Sequence, residues 1–382
     1  MYKHIYRRFL EANPTLLHFA SHSHHYWPDA TREAQLQYWD DSAKHVDHKW
    51  EFLFTQKVPV AQKLIAENLN LSNPSQIVFA PNTHEFVFRL ISSLDWTKKI
   101  SILTTDSEFY SFDRQANRLA EFAQFEVVKV PVMPFDTFHE RFEQELASRS
   151  WNLVFLSHVF FNSALVSDFK RLSQKASPSS LFVVDGYHGF MAVPTDLKTV
   201  EDKIFYLAGS YKYAQGGEGA CFLHVPSSAR HRPFYTGWFA ELAHLSAVGN
   251  QVPYPEDASQ YSGSTMDLTP VYRLIATLET FKKEGLSVTK IHSWVQQNQK
   301  LFLEELEKKH HPLLNKRSLI VSDLNHHGHF LTFNLPSVEE TQKMVAHLKN
   351  QGVLTDSRGT RLRFGFGLYH DKSQIEKCIS LI

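Results

Sequence analysis

The chain of 382 residues has only two cysteines, Cys221 and Cys378. Two thiols so far apart cannot lay out a disulfide framework, and such sparing use of cysteine fits a reducing compartment. An excess of one charge is also missing: Lys plus Arg and Asp plus Glu both number 40, so the formal net charge is zero. That balance excludes the basic footprint of a nucleic-acid binder and a polybasic membrane patch. No apolar run reaches the length of a transmembrane span. The opening stretch "MYKHIYRRFLEANPTLLHFA" lacks the apolar core of a secretory signal, so a cytoplasmic location is expected. Internal repeats and low-complexity tracts are absent too. What remains is an ordinary globular composition, 43% apolar and 21% charged, with length enough for a large core and two domains.

Short apolar stretches alternate with amphipathic ones along the first two thirds of the chain. "IVFA" (77–80), "KISILTT" (99–105), "FEVVKVPV" (125–132), "NLVFLSHVFF" (152–161) and "SLFVVDGYHGF" (180–190) read as strands, the last two running into loops. Helical patterns occupy 33–54, 61–71, 112–123, 139–149 and 168–176. This alternation predicts an α/β fold with a mostly parallel sheet covered on both faces. Residues 227–267 form a long irregular stretch, too long for an idle connection. A helix over 269–285 follows, with Pro270 in its first turn and Gly285 at its end. The remainder reads as a smaller α+β domain, with helices at 291–309 and 338–352 and strand-like pieces at 318–323, 328–335 and 360–366. The expected division is an N-terminal segment (1–55), a large domain (56–280) and a small domain (281–382).

The stretch "GSYKYAQGGEGACF" (209–222) holds one lysine, Lys212, on a glycine-rich turn between two apolar runs. By spacing alone Lys212 reads equally well as a solvated surface charge. Upstream, Asp185 ends the run "LFVVD". A carboxylate at the carboxyl end of a strand in an open α/β sheet points into the crevice where ligands bind. Capping a turn is the commoner use of such an Asp. Taken together, the pair meets the needs of pyridoxal phosphate. The lysine forms a Schiff base, and the acid pairs with the protonated pyridine nitrogen so that the ring stays an electron sink. That charge-assisted bond is worth roughly 1.5–3 kcal/mol.

The segment "VVDGYHGF…AGSYKYAQGGEGACFLHV" resembles the cofactor-binding core of fold-type-I pyridoxal-phosphate enzymes of the class V aminotransferase group. Within that group it is most similar to kynureninase. The D-x-x-H, the S-Y-K-Y with its trailing glycines, and "GWFAE" (237–241) occur in the same order there. A weaker similarity runs from about residue 70 to the C-terminus. The resemblance implies a large cofactor domain with a smaller C-terminal one, a homodimer whose active site is shared between subunits, and an N-terminal segment folded over the site's mouth. It makes Lys212 the Schiff-base lysine, Asp185 the pyridinium partner and His188 a neighbour of the ring. Tyr211 becomes a phosphate contact and a candidate for proton transfer.

The phosphate, with about −1.5 to −2 charges, needs several donors. "APNTHEFVFRLISSL" (80–94) offers a turn opening a helix, where backbone N–H groups and the helix dipole favour an anion. The resemblance assigns Asn82 and Thr83 to that contact, a role compatible with capping the helix. It adds Trp238 and Thr265, the latter reaching across from the partner subunit. Kynureninases commonly carry Asn at the Thr265 position, and related class V enzymes often carry Thr. Phe109 is implied to stack on the ring, with Ser111 and Ser157 as polar contacts. In "TRLRFGFGLYH" (360–370), Arg361 and Arg363 lie two residues apart on a strand, and the resemblance selects Arg363 to bind the substrate α-carboxylate as a fork. Phe239, Ser264 and His22 are placed in the substrate pocket.

His22, His24 and His25, in "HFASHSHHYWPD" (18–29), also invite a metal-ligand reading. Without a nearby Cys or acid that reading is weak, and no metal is expected. The "SHSHHYW" segment departs from the kynureninase pattern, as does the "HKWEFLF" region. Three reactions remain on this scaffold. The first is kynureninase-type hydrolysis of Cβ–Cγ with release of alanine. The second is transamination or another elimination. The third, cysteine desulfuration, needs a nucleophilic Cys on a loop before the carboxylate-binding arginine, and residues 320–363 hold none.

Overall fold

The computed structural model describes residues 2–244 and 252–382. Seven strands build the large sheet: β1 (Ile77–Ala80), β2 (Ile100–Thr105), β3 (Phe125–Val130), β4 (Leu153–Ser157), β5 (Leu181–Asp185), β6 (Ile204–Gly209) and β7 (Cys221–His224). Their order is β1-β7-β6-β5-β4-β2-β3. Strands β2 to β6 run parallel, while β7 is antiparallel to both β6 and β1. The antiparallel step follows from chain length. Only residues 210–220 separate β6 from β7, too few for the crossover that parallel neighbours need. Lys212 lies on that short connection.

Strands β4, β5 and β6 are buried at every residue, because helices cover both faces of the sheet. This explains why each reads as a continuous apolar run rather than an alternating one. β3 and β4 lie on opposite sides of β2, so the strand order reverses there. Such a reversal opens a crevice at the carboxyl ends of the strands.

The smaller sheet has the order β9-β10-β8 and is antiparallel throughout, with β8 (Phe330–Asn334), β9 (Asp356–Arg358) and β10 (Arg361–Gly365). The helices Val288–Lys309 and Lys372–Leu381 pack on it around a core of their own. The N-terminal segment is stitched to the small domain rather than left loose. Leu17–His18 pairs in parallel with Val353–Leu354, and the Gly365 N–H donates to the Phe19 carbonyl at 2.7 Å. Gly365 is needed for that approach, since a Cβ there would stand 2.4 Å from His22 Nδ1.

Several elements differ from the sequence reading. The expected helix over 33–54 is Ala30–His45, and it stops where Val46 takes a left-handed conformation (φ 46°). A short 3-10 turn, one helical turn and a π-helical turn then lead into the helix Val58–Leu69. The strand-like piece 318–323 makes only a single bridge, Leu319 to Phe333, before Asp323 caps the turn Leu324–His326. The final helix, Lys372–Leu381, is opened by Asp371, whose side chain accepts from the Gln374 N–H at 3.1 Å. Within the irregular stretch, 3-10 turns form at Trp238–His244 and Ala258–Tyr261, while residues 245–251 lie outside the described residues. Among the described residues no helix is long and apolar enough to cross a membrane.

Candidate active site

A cavity of about 390 Å³ opens beyond the carboxyl ends of β4, β5 and β6. The strand register brings its floor together: Ser157 and Asp185 are paired residues at the ends of β4 and β5. Lys212 enters from the turn after β6, and His188 from the loop after β5. Asn82 and Thr83 form one rim, Phe109 and Ser111 another, and Tyr211 stands beside Lys212. All nine of these side chains, named above from the sequence, line one space.

Lys212 is 8% exposed. Its ammonium donates to the backbone carbonyl of His22 at 2.9 Å, so the N-terminal segment reaches the Lys212 nitrogen. Burial, and next the positive charge of Arg363, push its pKa down to about 7. A neutral amine is therefore accessible near neutral pH. Asp185 is also buried, and burial lifts its pKa to about 6. Opposing that, its Oδ1 accepts from the Tyr187 N–H at 3.0 Å and it feels the charge of Lys212. His188 is held neutral, its pKa well below the usual value because it is buried and faces Lys212 and Arg363.

The helix Thr83–Ser92 points its N-terminus at the cavity. Asn82 caps it, accepting from the Glu85 N–H at 3.1 Å, and an open helix N-terminus of this kind favours an anion. Asn82 and His84 are exposed at the mouth, whereas Thr83 is buried. Phe109 presents an aromatic wall, with Phe161 edge-on at 5.3 Å between ring centroids. Tyr211 directs its hydroxyl to His24 Nε2 at 2.9 Å.

Arg363, on β10, is 3% exposed and close enough to depress the pKa of Lys212. Its Nη1 donates to the Phe161 carbonyl at 2.5 Å, its Nη2 is paired with Asp356, and its Nε has no hydrogen-bond partner among the described residues. Arg361, two residues earlier and so on the same face of the strand, reaches the neighbouring Asn162 carbonyl instead. His22 is buried and stacked on Phe330; neither ring nitrogen has a hydrogen-bond partner among the described residues, and Nε2 lies 3.7 Å from Asp356 Oδ2. The other named residues are not brought to the cavity. Trp238 Nε1 donates to the exposed Thr265 hydroxyl at 3.0 Å, Ser264 is exposed, and Phe239 packs on Trp50 and Phe54.

Some residues of the site carried no signal in the sequence. Val159, Phe161 and Tyr187 line the cavity within runs read simply as strand and loop. Asp356, the partner of Arg363, lies on a three-residue strand too short to announce itself. Glu108, beside Phe109, is fully buried against Ser157. Among the described residues no group of three or more His, Cys, Asp or Glu is arranged to hold a metal ion.

The family model for aminotransferase class-V matches residues 26–377, and the chain belongs to that family. No curated protein sequence matches it significantly. Solved structures share the fold at low identity. A cystine C–S lyase, in complex with its reaction product cysteine persulfide, superposes with a TM-score of 0.82 at 17% identity, covering 97% of this chain and 98% of the lyase. A lysine-to-alanine variant of that lyase, with glycine covalently linked to its pyridoxal-phosphate cofactor, gives 0.83 at 16% identity over 98% of each chain. The apo cysteine desulfurase from Thermococcus onnurineus NA1 gives 0.80 at 18% identity, covering 99% of this chain and 97% of the desulfurase. The architecture is thus fold type I, and the cofactor is pyridoxal phosphate. The donor set fits that group: a buried amine of lowered pKa, a buried carboxyl, an aromatic wall and a capped helix N-terminus meet in one cavity.

Proposed function

We propose that this class V pyridoxal-phosphate enzyme acts on an α-amino acid bearing a γ-carbonyl and cleaves Cβ–Cγ with water, releasing alanine in the manner of kynureninase. The observation that supports it is the meeting of Lys212 and Asp185 in a cavity walled by Phe109, Phe161 and Tyr211, with the buried charge of Arg363 close enough to act on Lys212. Bound there, the cofactor supplies an electron sink for the pair left when a bond at Cα breaks. Lys212 holds the cofactor and then carries protons at Cα, a task suited to an amine that titrates near pH 7. Asp185 keeps the ring nitrogen protonated. Arg363, with its Nη1 anchored on the Phe161 carbonyl and its Nη2 paired with Asp356, is the guanidinium assigned to the α-carboxylate, which would take the place of Asp356. The aromatic wall favours a flat, apolar side chain. In the overall reaction one water adds its hydroxyl to the γ-carbonyl carbon. The acyl fragment leaves as a carboxylic acid, and Cβ takes up a proton to become the methyl of alanine.

A second reading is β-elimination at a C–S bond, favoured by the likeness to a cystine C–S lyase whose sulfur leaves with the product. Desulfuration through a thiol of the chain is disfavoured. Cys221 is buried, its pKa raised to about 12 by that burial, and Cys378 is buried in the core of the small domain. We also place Thr265, Ser264 and Trp238 at the site of a partner subunit, because Ser264 and Thr265 are exposed and the cavity of one chain does not include them.

The reading is tested by supplying kynurenine or 3-hydroxykynurenine to the reconstituted enzyme, with and without a keto acid, and identifying products by mass spectrometry. Alanine and an anthranilate formed without an acceptor support the hydrolase. Strict dependence on the keto acid makes the enzyme a transaminase. Pyruvate and a persulfide from cystine alone support the lyase.

A further inference from the structure

Glu108 sits where β2 and β4 part, at the reversal of strand order. It is 3% exposed. Its Oε1 accepts from the Thr105 hydroxyl at 2.7 Å and from the Ser157 N–H at 3.3 Å, and its Oε2 meets the Ser157 hydroxyl at 2.5 Å. Every one of these partners is a hydroxyl or an amide, and no cation is among them. Ser157 in turn is the register partner of Asp185. Two carboxyl groups therefore flank one serine on the floor of the cavity.

Adjacent buried carboxyls resist carrying two negative charges, so one of them keeps its proton. Asp185 has Lys212 across the cavity and the Tyr187 N–H to steady an anion. Glu108 has neither, and the charge of Asp185 disfavours its ionisation. The remaining acid nearby, Asp106, is exposed and engaged by the Val132 N–H at 3.0 Å. A neutral acid suits the contacts of Glu108: its O–H can donate to Ser157 Oγ while its carbonyl accepts from Thr105 and the Ser157 N–H. Burial acts in the same direction, lifting the Glu108 pKa to about 8.

We propose that Glu108 is a positioning residue of the cofactor site. As a neutral carboxylic acid it orients the Ser157 hydroxyl and anchors the 105–109 turn that presents Phe109, leaving Asp185 as the single buried anion for the ring nitrogen. The inference rests on the role given to Asp185, and the wild-type cofactor band is the control for that role.

Three variants decide it: Glu108→Gln, Glu108→Asp and Glu108→Ala, each measured for pyridoxal-phosphate affinity, visible absorbance and thermal midpoint of the apoprotein. Glutamine is neutral, has the same shape, and both donates and accepts. It should keep the affinity within about threefold and leave the pH 7 absorbance in place, whereas alanine should weaken binding about tenfold or more and shift the band. The pH profile separates this role from simple packing. The folded wild type holds a proton that the unfolded chain releases, so its stability falls as pH rises from about 4.5 to about 8. The midpoint of Glu108→Gln relative to wild type should therefore climb over that range. If alanine does not fold, the glutamine profile and the aspartate variant, whose acid falls short of Ser157 and should lose affinity, still decide. A glutamine variant whose band moves at pH 7, or whose relative midpoint is flat with pH, overturns the proposal. No cofactor band in wild type would instead remove the premise about Asp185.

Discussion

Two regions are assigned to the same active site, yet they stand very differently in the molecule. At the strand ends, Lys212, Asp185, Ser157, Asn82 and Thr83 converge within one chain. Trp238, Ser264 and Thr265 bind one another or solvent on the surface instead. The first group is placed by sheet register: once β4 and β5 pair, Ser157 and Asp185 must be neighbours. No such constraint pulls the second group inward. A site completed by a second copy accounts for both facts.

Breaking the first group should have the largest effect. Lys212→Ala is expected to lower turnover by about a thousandfold or more, since it removes both the cofactor anchor and the proton carrier. Borohydride reduction and peptide mapping of the wild type should find the pyridoxyl group on Lys212. Label on another lysine would refute the assignment. Asp185→Asn should retain cofactor and still lose about a hundredfold or more in kcat, because the ring nitrogen loses its anionic partner.

Testing the second group requires two chains. Neither Lys212→Ala nor Thr265→Ala alone should be fully active, but mixing them should restore part of the activity, one site of each mixed dimer being intact. A monomer fully active at every dilution would end the shared-site reading. Arg363→Lys probes the buried cation whose charge acts on Lys212. Loss of the planar fork should raise KM about ten- to a hundredfold with the cofactor spectrum unchanged. Unaltered kinetics would mean that another cation, such as Arg361 or Arg358, receives the carboxylate.

The large sheet was legible because its central strands are doubly buried and read as uninterrupted apolar runs. The antiparallel β7 was hidden, because apolar runs carry no direction. The glycine-rich motif made Lys212 and Asp185 legible, and resemblance added Arg363. Residues whose state depends on their surroundings were illegible. His22 counts as polar by type, yet it is buried against Phe330 and Gly365. Glu108 counts as a charge, yet it has no cation to pair with. In both cases tertiary burial overrides the default ionisation on which a sequence reading depends.

The smallest expected effect comes from that same burial, in the apoprotein. Lys212 has its folded-state pKa lowered to about 7, chiefly by desolvation. The unfolded chain keeps the proton up to about pH 10.4. Folding therefore carries a penalty that is absent above that pH, grows as pH falls toward about 7, and is constant below. Methionine at this position removes the penalty but leaves the His22 carbonyl without its donor, a loss of about 1 kcal/mol. The net result should be a Lys212→Met apoprotein that melts a few degrees above wild type at pH 7 and loses that advantage by pH 10. The trend is opposite in sign to the one expected for Glu108→Gln, whose advantage grows as pH rises. Thermal melts of both variants across one pH series would compare the amine with the acid directly. Parallel trends would show that the two groups do not sit in the protonation states from which the chemistry of this site has been argued.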